Sequence, residues 1–335
     1  MVETSEQTSS RIASILNVIK ILLALLLAGY VISRTDFGQV RAVVEDVSIP
    51  WLAAYFLLFI LSTLAKALQY RIVIGEDVAF PRVLNVVVIQ NMASNFLAAT
   101  AGIASYLTLF RVEHGVKVSR AMIAFLLTKV GDVTAILFLL VLSLGAVWSR
   151  IEVLQWMSVL LAAGMALFLL GFLLILVYRG TFFNLLQRVL KWMRLSELVL
   201  VQKGMDILEA VSRQERDSLL NKMKGVIVGS FLYLVVTLFW LYTGLRVFNI
   251  RLEVWEVAYS SALYYLVTYV PIQIFGGLGV TDTSMMFVYR LFGPSLPEMA
   301  AVMIGQRILV YLMNLSLLVY LPLYAAVYRP SDPGN

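Results

Sequence analysis

The fold class this sequence predicts is an all-α integral membrane protein, with six full transmembrane helices and two re-entrant broken-helix hairpins arranged as an inverted repeat. Three observations predict it. The 335 residues are 61% hydrophobic and 14% charged, with a mean hydropathy of +0.89. Soluble domains average about 45–50% apolar and about 25% charged. Six apolar stretches, near 15–32, 51–70, 119–147, 155–177, 225–248 and 298–327, each supply the roughly 17–25 residues that cross a bilayer. Two further apolar stretches, 83–110 and 256–292, are interrupted.

The second interruption is the strongest local signal. Pro271, Gly276, Gly277, Gly279 and Asp282 fall where lipid demands unbroken helix. Bare backbone at membrane depth survives only where protein buries it or water reaches it. A weaker break is read at Ala98 to Ala104, around Gly102. Asn91, Gln90 and Asn95 precede it and either cap the bare backbone or line a cavity. Broken segments in corresponding halves of a chain point to a transport site.

Charge sets the orientation. With the N-terminus inside, the cytoplasmic segments carry 18 basic residues and the outer loops 6, the latter offset by seven acids. The positive-inside rule therefore places both termini in the cytoplasm of a multi-pass cell-membrane protein. Trp51, Trp148, Trp156 and Trp255 fall at the expected outer boundary, as an aromatic belt would. The net charge of +6 suits anionic lipid of the inner leaflet rather than nucleic acid. Met1 to Ser10 lack a signal peptide's basic start, so the first span is expected to stay as an anchor. There is no cysteine and one histidine, His114. Disulfides, thiolate metal sites and cysteine nucleophiles are excluded, and neither a metal nor a cofactor is expected.

A single membrane domain over 1–335 is expected, with a cytoplasmic amphipathic insertion at 179–224. Within it, Asn184, Gln187, Arg188, Lys191 and Arg194 recur at helical spacing, which reads as a separate helix over 181–194 lying on the leaflet. Asp36 to Val47 is a shorter outer counterpart. Shifting the chain by about 178 residues overlays the two broken regions. Gly102 then falls beside Gly279 and Val280, Ser119 on Pro297, and Lys129 on Arg307. Repeat unit one is read at about 83–147 and unit two at about 256–327, inverted because their long spans run in opposite directions. Ser119 is read as the N-cap of the third span.

Two charges lie deep. Lys129 and Arg307 each sit about ten residues into a span, roughly 15 Å down and near the middle of a core about 30 Å thick. A charge there costs at least about 2.5–3.5 kcal/mol and needs a partner or water. Asp132 follows Lys129 at i+3, on the same helix face. Arg307 has no acid in its own helix, so Asp282, Asp132 and a substrate anion are its three open partners. Gln306, Tyr311 and Asn314 add polar atoms nearby. Arg binds phosphate through its fork and Lys as a point charge. These pairs are either structural pins or parts of a head-group pocket. Lys66 and Arg71, near the end of the second span, are read as snorkelling to water.

These residues resemble the transmembrane family of lysylphosphatidylglycerol synthase, a flippase-like membrane domain. The match rests on Pro271 followed by Gly276-Gly277-Leu278-Gly279-Val280, with Asp282 where the family usually has glutamate. Arg307 is similar to the arginine that follows this motif. Lys129-Val130-Gly131-Asp132 resembles an Arg-Leu-Leu-Asp stretch, and Leu68-Gln69-Tyr70-Arg71 the Arg-Trp-containing end of the second span. The first hairpin departs: Ala98 to Ile103 replaces a proline and a Gly-Glu pair. The resemblance implies translocation of polar, anionic or polyprenyl-linked lipids. The aminoacyl-transfer domain of the lysyl-lipid proteins is expected to be absent, since the chain stops at Asn335.

The sequence therefore reads as a lipid flippase and not an enzyme. Its site residues are Arg307, Lys129, Asp132, Asp282, Gly276, Gly277, Gly279, Gly102, Gln306, Asn314 and Asn95. Its partners are membrane lipids bearing phosphate or another anion, and homo-oligomerisation is left open. The rival readings are an ion-coupled carrier of a small anionic solute and a lipid-modifying membrane enzyme.

Overall fold

The computed structural model describes residues 45–192, 216–268, 277 and 279–327, with the isolated positions 26, 29, 33 and 38. The described chain is helical. Its elements are α1 (Ile49–Ile74), α2 (Phe80–Phe96), α3 (Ala99–Val112), α4 (Val118–Val147), α5 (Gln155–Trp192), α6 (Arg216–Val247), α7 (Val254–Thr268), α8 (Val280–Arg290), α9 (Leu296–Ser316) and α10 (Tyr320–Val327). Among the described residues five stretches are long and apolar enough to cross a membrane: Ile49–Ile74, Val118–Arg150, Gln155–Leu174, Leu219–Val247 and Leu296–Val327. They match five of the six expected spans. The sixth, 15–32, lies outside the described residues, as does most of the outer amphipathic stretch 36–47. Trp51, Trp148, Trp156 and Trp255 are all exposed.

The interrupted stretches are pairs of short helices. α2 and α3 have 17 and 14 residues, α7 and α8 have 15 and 11. At 1.5 Å per residue none exceeds about 26 Å, short of a hydrocarbon core about 30 Å thick. α7 packs on α8, and α8 packs on α9. A Cβ added at Gly102 of α3 would strike Ser94 Oγ and sit 2.9 Å from the Gln90 carbonyl, both on α2. α2 and α3 thus lie side by side at a separation only glycine permits.

Four sequence expectations are corrected. The first break falls at Leu97–Ala98, and Gly102 is inside α3. Its small size is what the fold uses there, not its torsional freedom. α4 starts at Val118, with Lys117 as its N-cap and no side-chain cap, so Ser119 lies inside the first turn. The amphipathic stretch is no separate helix, because α5 continues unbroken to Trp192. One interior Gly180 costs about 1 kcal/mol, too little by itself to end a helix of this length. The last span is also interrupted: a 3-10 turn at Leu317–Val319 separates α9 from α10. Pro322 follows it and has no N–H for a ladder bond.

The chain divides into two compact units, each discontinuous in sequence. Unit 1 comprises 1–59, 88–105 and 238–335, and unit 2 comprises 60–87 and 106–237. Unit 2 has an apolar core built on Tyr70, Tyr106, Phe110, Leu127 and Val226. Tyr106 stands at its centre, 4.8 Å from the Tyr70 ring and 4.9 Å from Phe110. Its hydroxyl donates to the Ala121 carbonyl, so the buried phenol keeps its hydrogen bond. In unit 1 the start of α1 is held to the end of α6. The Ser48 amide donates to the Val247 carbonyl at 3.0 Å, and Tyr55 stacks on Trp240 at 5.2 Å.

Candidate functional site

Among the described residues, each unit holds a largely buried pair of opposite charges. In unit 1 the pair is Arg307 of α9 and Asp282 of α8. A guanidinium Nη donates to Asp282 Oδ1, and both side chains are 13% exposed. Of the three open partners, Arg307 pairs with Asp282. The other carboxylate oxygen, Oδ2, accepts the Gly279 amide at 3.3 Å and so caps the start of α8. A carboxylate is favoured there by the amides and dipole of a helix N-terminus.

The loop before α8 has the backbone that its glycines foretell. Gly277 has φ +88° and Gly279 has φ +82°, conformations that side-chain-bearing residues seldom adopt. Gly276 lies outside the described residues. Tyr264 of α7 and Tyr311 of α9 are within electrostatic reach of both Arg307 and Asp282. Tyr311 stacks on Phe96 of α2 at 5.4 Å. One turn beyond, Asn95 Nδ2 donates to Asn314 Oδ1 at 3.3 Å. Asn314 in turn donates to the Val310 carbonyl. Gln306 lies beside Gly244 and the Tyr55 ring, where a Cβ on Gly244 would stand 3.2 Å from its amide nitrogen. Unit 1 thus gathers Arg307, Asp282, Gly277, Gly279, Gln306, Asn314 and Asn95. Gly102 belongs to it through the α2–α3 packing.

The helix that carries Asp282 also holds buried polar atoms without a partner among the described residues. Thr281 Oγ1 and Thr283 Oγ1 are buried and have no hydrogen-bond partner among the described residues. Both are in the first turns of α8, flanking Asp282. Such groups are uncommon in folded proteins, because desolvating a hydroxyl without a partner is unfavourable.

In unit 2 the acid is Asp132 of α4. Its partner is Lys66 of α1, with Nζ 2.7 Å from Oδ2. Lys66 therefore does not snorkel. α1 runs on to Ile74, which leaves Lys66 two helical turns from the end. Lys66 also donates to Gln69 Oε1 at 2.7 Å. Gln69 Nε2 donates to Asp132 Oδ1 at 2.8 Å and to Ser230 Oγ. The Ser230 hydroxyl lies 3.3 Å from Oδ1 and donates to it. The Lys66 ammonium also stands 4.5 Å from the Tyr233 ring centroid, a cation–π distance. Lys129 Nζ is 5.5 Å from the Phe125 ring.

One glycine lets this network close. A Cβ on Gly131 would lie 2.6 Å from Val226 and against Ser230, so Gly131 allows α4 and α6 to touch. At Gly229 of α6 a Cβ would meet Gln69 of α1 only at ordinary contact distance, 3.4 Å, so that approach does not depend on glycine. Sequence reasoning did not bring Lys66, Gln69, Ser230 and Tyr233 to Asp132, nor Tyr264 to the Arg307–Asp282 pair. Gln69 carried a signal: a buried amide at i+3 from a lysine inside an apolar span.

Apolar spans, broken short helices and charges buried between them define a multi-pass helical membrane protein built around intramembrane ion pairs. The chain matches the family described as Lysylphosphatidylglycerol synthase TM region over residues 17–317, and it belongs to that family. No curated protein and no solved structure matches it.

Proposed function

We propose that this protein is a lipid translocase that passes a polar, anionic head group through the membrane while the acyl or polyprenyl tails stay in lipid. The observation that carries the reading is the Arg307–Asp282 pair. It is buried among apolar helices, beside a loop of positive-φ glycines at the start of α8. A guanidinium reads phosphate through its fork, and a helix N-terminus with bare amides favours the same anion. Intramembrane charges are functional candidates by default. Family membership adds a membrane-lipid context.

In this reading the chain makes six crossings with both termini cytoplasmic. The α2–α3 and α7–α8 pairs enter and leave on one side as re-entrant hairpins of an inverted repeat. The work is transport rather than catalysis, because the groups at Arg307 are an ion pair, phenols and amides suited to binding. The Lys66–Asp132 network serves as a structural pin, since its hydrogen bonds close on one another.

A liposome assay tests the function. A fluorescent phosphodiester lipid is followed as it crosses to the quencher-exposed leaflet. Arg307→Ala should lose most flux and Arg71→Ala, at the end of α1, little. Parent-like flux from a folded Arg307→Ala protein refutes the site. Cysteines introduced one at a time test the layout, and labelling at position 119 from outside would overturn it.

A further inference from the structure

Asp282 has two partners on two elements. Oδ1 receives Arg307 of α9, and Oδ2 receives the Gly279 amide at the start of its own helix. A cation inside apolar helices needs a counter-charge at all times. With no ligand bound, Asp282 is that counter-charge. A phosphodiester head group would bring a second anion to the same guanidinium. One cation and two anions would then share a poorly hydrated site, which strongly disfavours two ionised acids.

Among the described residues the groups within electrostatic reach of Arg307 are Asp282 and phenols, and Arg246 of α6 is turned to the Tyr242 hydroxyl. α7 contributes the phenol of Tyr264, and its acid Glu256 caps the Glu253 amide at the far end of the helix. α8 contributes the phenol of Tyr289, with Arg290 at its last residue. α9 contributes Gln306 and Tyr311, with Glu298 capping Ser295 in its first turn. α1 contributes the phenol of Tyr55, and α2 the neutral Asn95. Ionising a phenol would worsen the imbalance, and amides do not titrate. Protonating Asp282 corrects it. Thr281 and Thr283, next to Asp282 in the same helix, carry buried hydroxyls that lack partners among the described residues, although neighbours in sequence on a helix do not share its face.

Resting on the head-group reading above, we infer that Asp282 is a displaceable counter-ion. An anionic head group replaces it on Arg307, the freed carboxylate takes a proton from water, and the lipid anion therefore travels with H⁺. The balance is Arg307⁺·Asp282⁻ plus phosphodiester⁻ plus H⁺, giving Arg307⁺·phosphodiester⁻ plus neutral Asp282. One O–H bond forms on the carboxyl, no bond to the lipid is made or broken, and the site's net charge is unchanged. The exchange also reaches the backbone, because a protonated carboxyl accepts the Gly279 N–H more weakly. The cap on α8 loosens next to the glycine loop.

The test is proton uptake by the full-length protein in weakly buffered detergent solution at pH 6. The probe is dihexanoylphosphatidylglycerol, a diester that stays singly negative through this range. The parent should take up about one proton per lipid bound, as linkage requires of a group whose affinity for H⁺ rises on binding. Asp282→Asn, a neutral mimic of the protonated acid, should bind with no uptake and with affinity independent of pH. Asp282→Glu, which keeps a carboxyl beside Arg307, should retain uptake and gives a second variant should the Asn protein fail to fold. Dimethyl phosphate, the same diester without tails, should act only at far higher concentration, and equal potency would overturn the assignment to lipid. Binding by the parent without uptake, unchanged uptake by Asp282→Asn, or loss of uptake by a lipid-binding Asp282→Glu protein would overturn the counter-ion exchange and leave the translocase reading standing. No lipid binding by the folded parent would remove both.

Discussion

Lys66→Met puts the clearest energetic demand on unit 2. The Lys66–Asp132 pair is 2.7 Å long, with side chains only 12% and 7% exposed. Removing the ammonium leaves the carboxylate buried with Gln69 and Ser230 as neutral donors and Lys129, one turn away on α4, as the remaining cation within electrostatic reach. Breaking one side of a buried pair costs about 3–5 kcal/mol, whereas replacing both partners by uncharged groups of similar shape is often close to neutral. Lys66→Met alone should therefore destabilise by about 3–5 kcal/mol, and Lys66→Met with Asp132→Asn by under about 2 kcal/mol. The coupling between the two changes should then exceed about 1 kcal/mol, beyond what independent sites show. At roughly 2 °C per kcal/mol for a chain of this size, the single change lowers Tm by about 6–10 °C and the double change by less. Thermal melting followed by tryptophan fluorescence in detergent reads both. A double variant that melts below the Lys66→Met protein, or losses that merely add, would show that the pair does not act as one buried unit.

Gly102→Ala should destabilise by about 1–3 kcal/mol, the usual range for overpacking, because its Cβ meets Ser94 and the Gln90 carbonyl. Adding Ser94→Ala should recover part of the loss in Tm. Gly279→Val should abolish translocation, since a β-branched residue is a poor fit at φ +82°. Gly164→Val, with open space around it, should keep most flux in the same liposome assay. Acid should weaken unit 2 in two steps. Burial holds the His114 imidazole below its ordinary value despite the Glu113 carboxylate 4.0 Å away. The unfolded chain then binds that proton more readily, and stability present above about pH 6.5 falls as pH drops below it. The Arg120 guanidinium holds the Asp77 carboxyl below the usual range, so its contribution is present above about pH 4 and is lost as pH falls further. His114→Gln should flatten the first step of a Tm-versus-pH curve and Asp77→Asn the second.

Chain length and hydropathy made five spans readable, because crossing a bilayer imposes both on any helix. The glycine loop before α8 was readable for a different reason: three glycines in four residues suit little but unusual torsions. Gly102 shows the limit of that logic. Glycine is also the smallest side chain, and one sequence cannot say whether torsion or size is in use. Here α3 uses size, and the break lies one turn earlier at Leu97–Ala98, without glycine or proline. Lys66 was misplaced because its span was ended too soon. A boundary drawn at 70 puts it near water, whereas α1 continues to Ile74. The partner of Asp132 was sought at i−3 on its own helix, since that neighbour follows from periodicity alone. Lys66 is 66 residues away in sequence, and it meets Asp132 where α1, α4 and α6 draw close, the last two at Gly131. Nothing in a local window reports such an approach.

The two ion pairs use the same chemistry and differ in what surrounds them. Asp132 receives Lys66, Gln69 and Ser230, and Gln69 joins two of these donors to each other. A network closed in this way rigidifies its surroundings, and a ligand entering it would have to break several good hydrogen bonds at once. Among the hydrogen bonds of the described residues, Asp282 receives Arg307 and a single backbone amide, with no closed side-chain network around it. A ligand there has one ion pair with Asp282 to displace rather than a closed network. Arginine strengthens the contrast, because its planar fork can hold phosphate through two parallel bonds where a lysine offers a point charge. The exchange of partners that transport requires is therefore easier at Arg307 than at Lys66. Removing the charge from both members of a pair separates the roles: at Lys66–Asp132 it should spare flux once the protein is folded, and at Arg307–Asp282 it should abolish flux even where folding is intact.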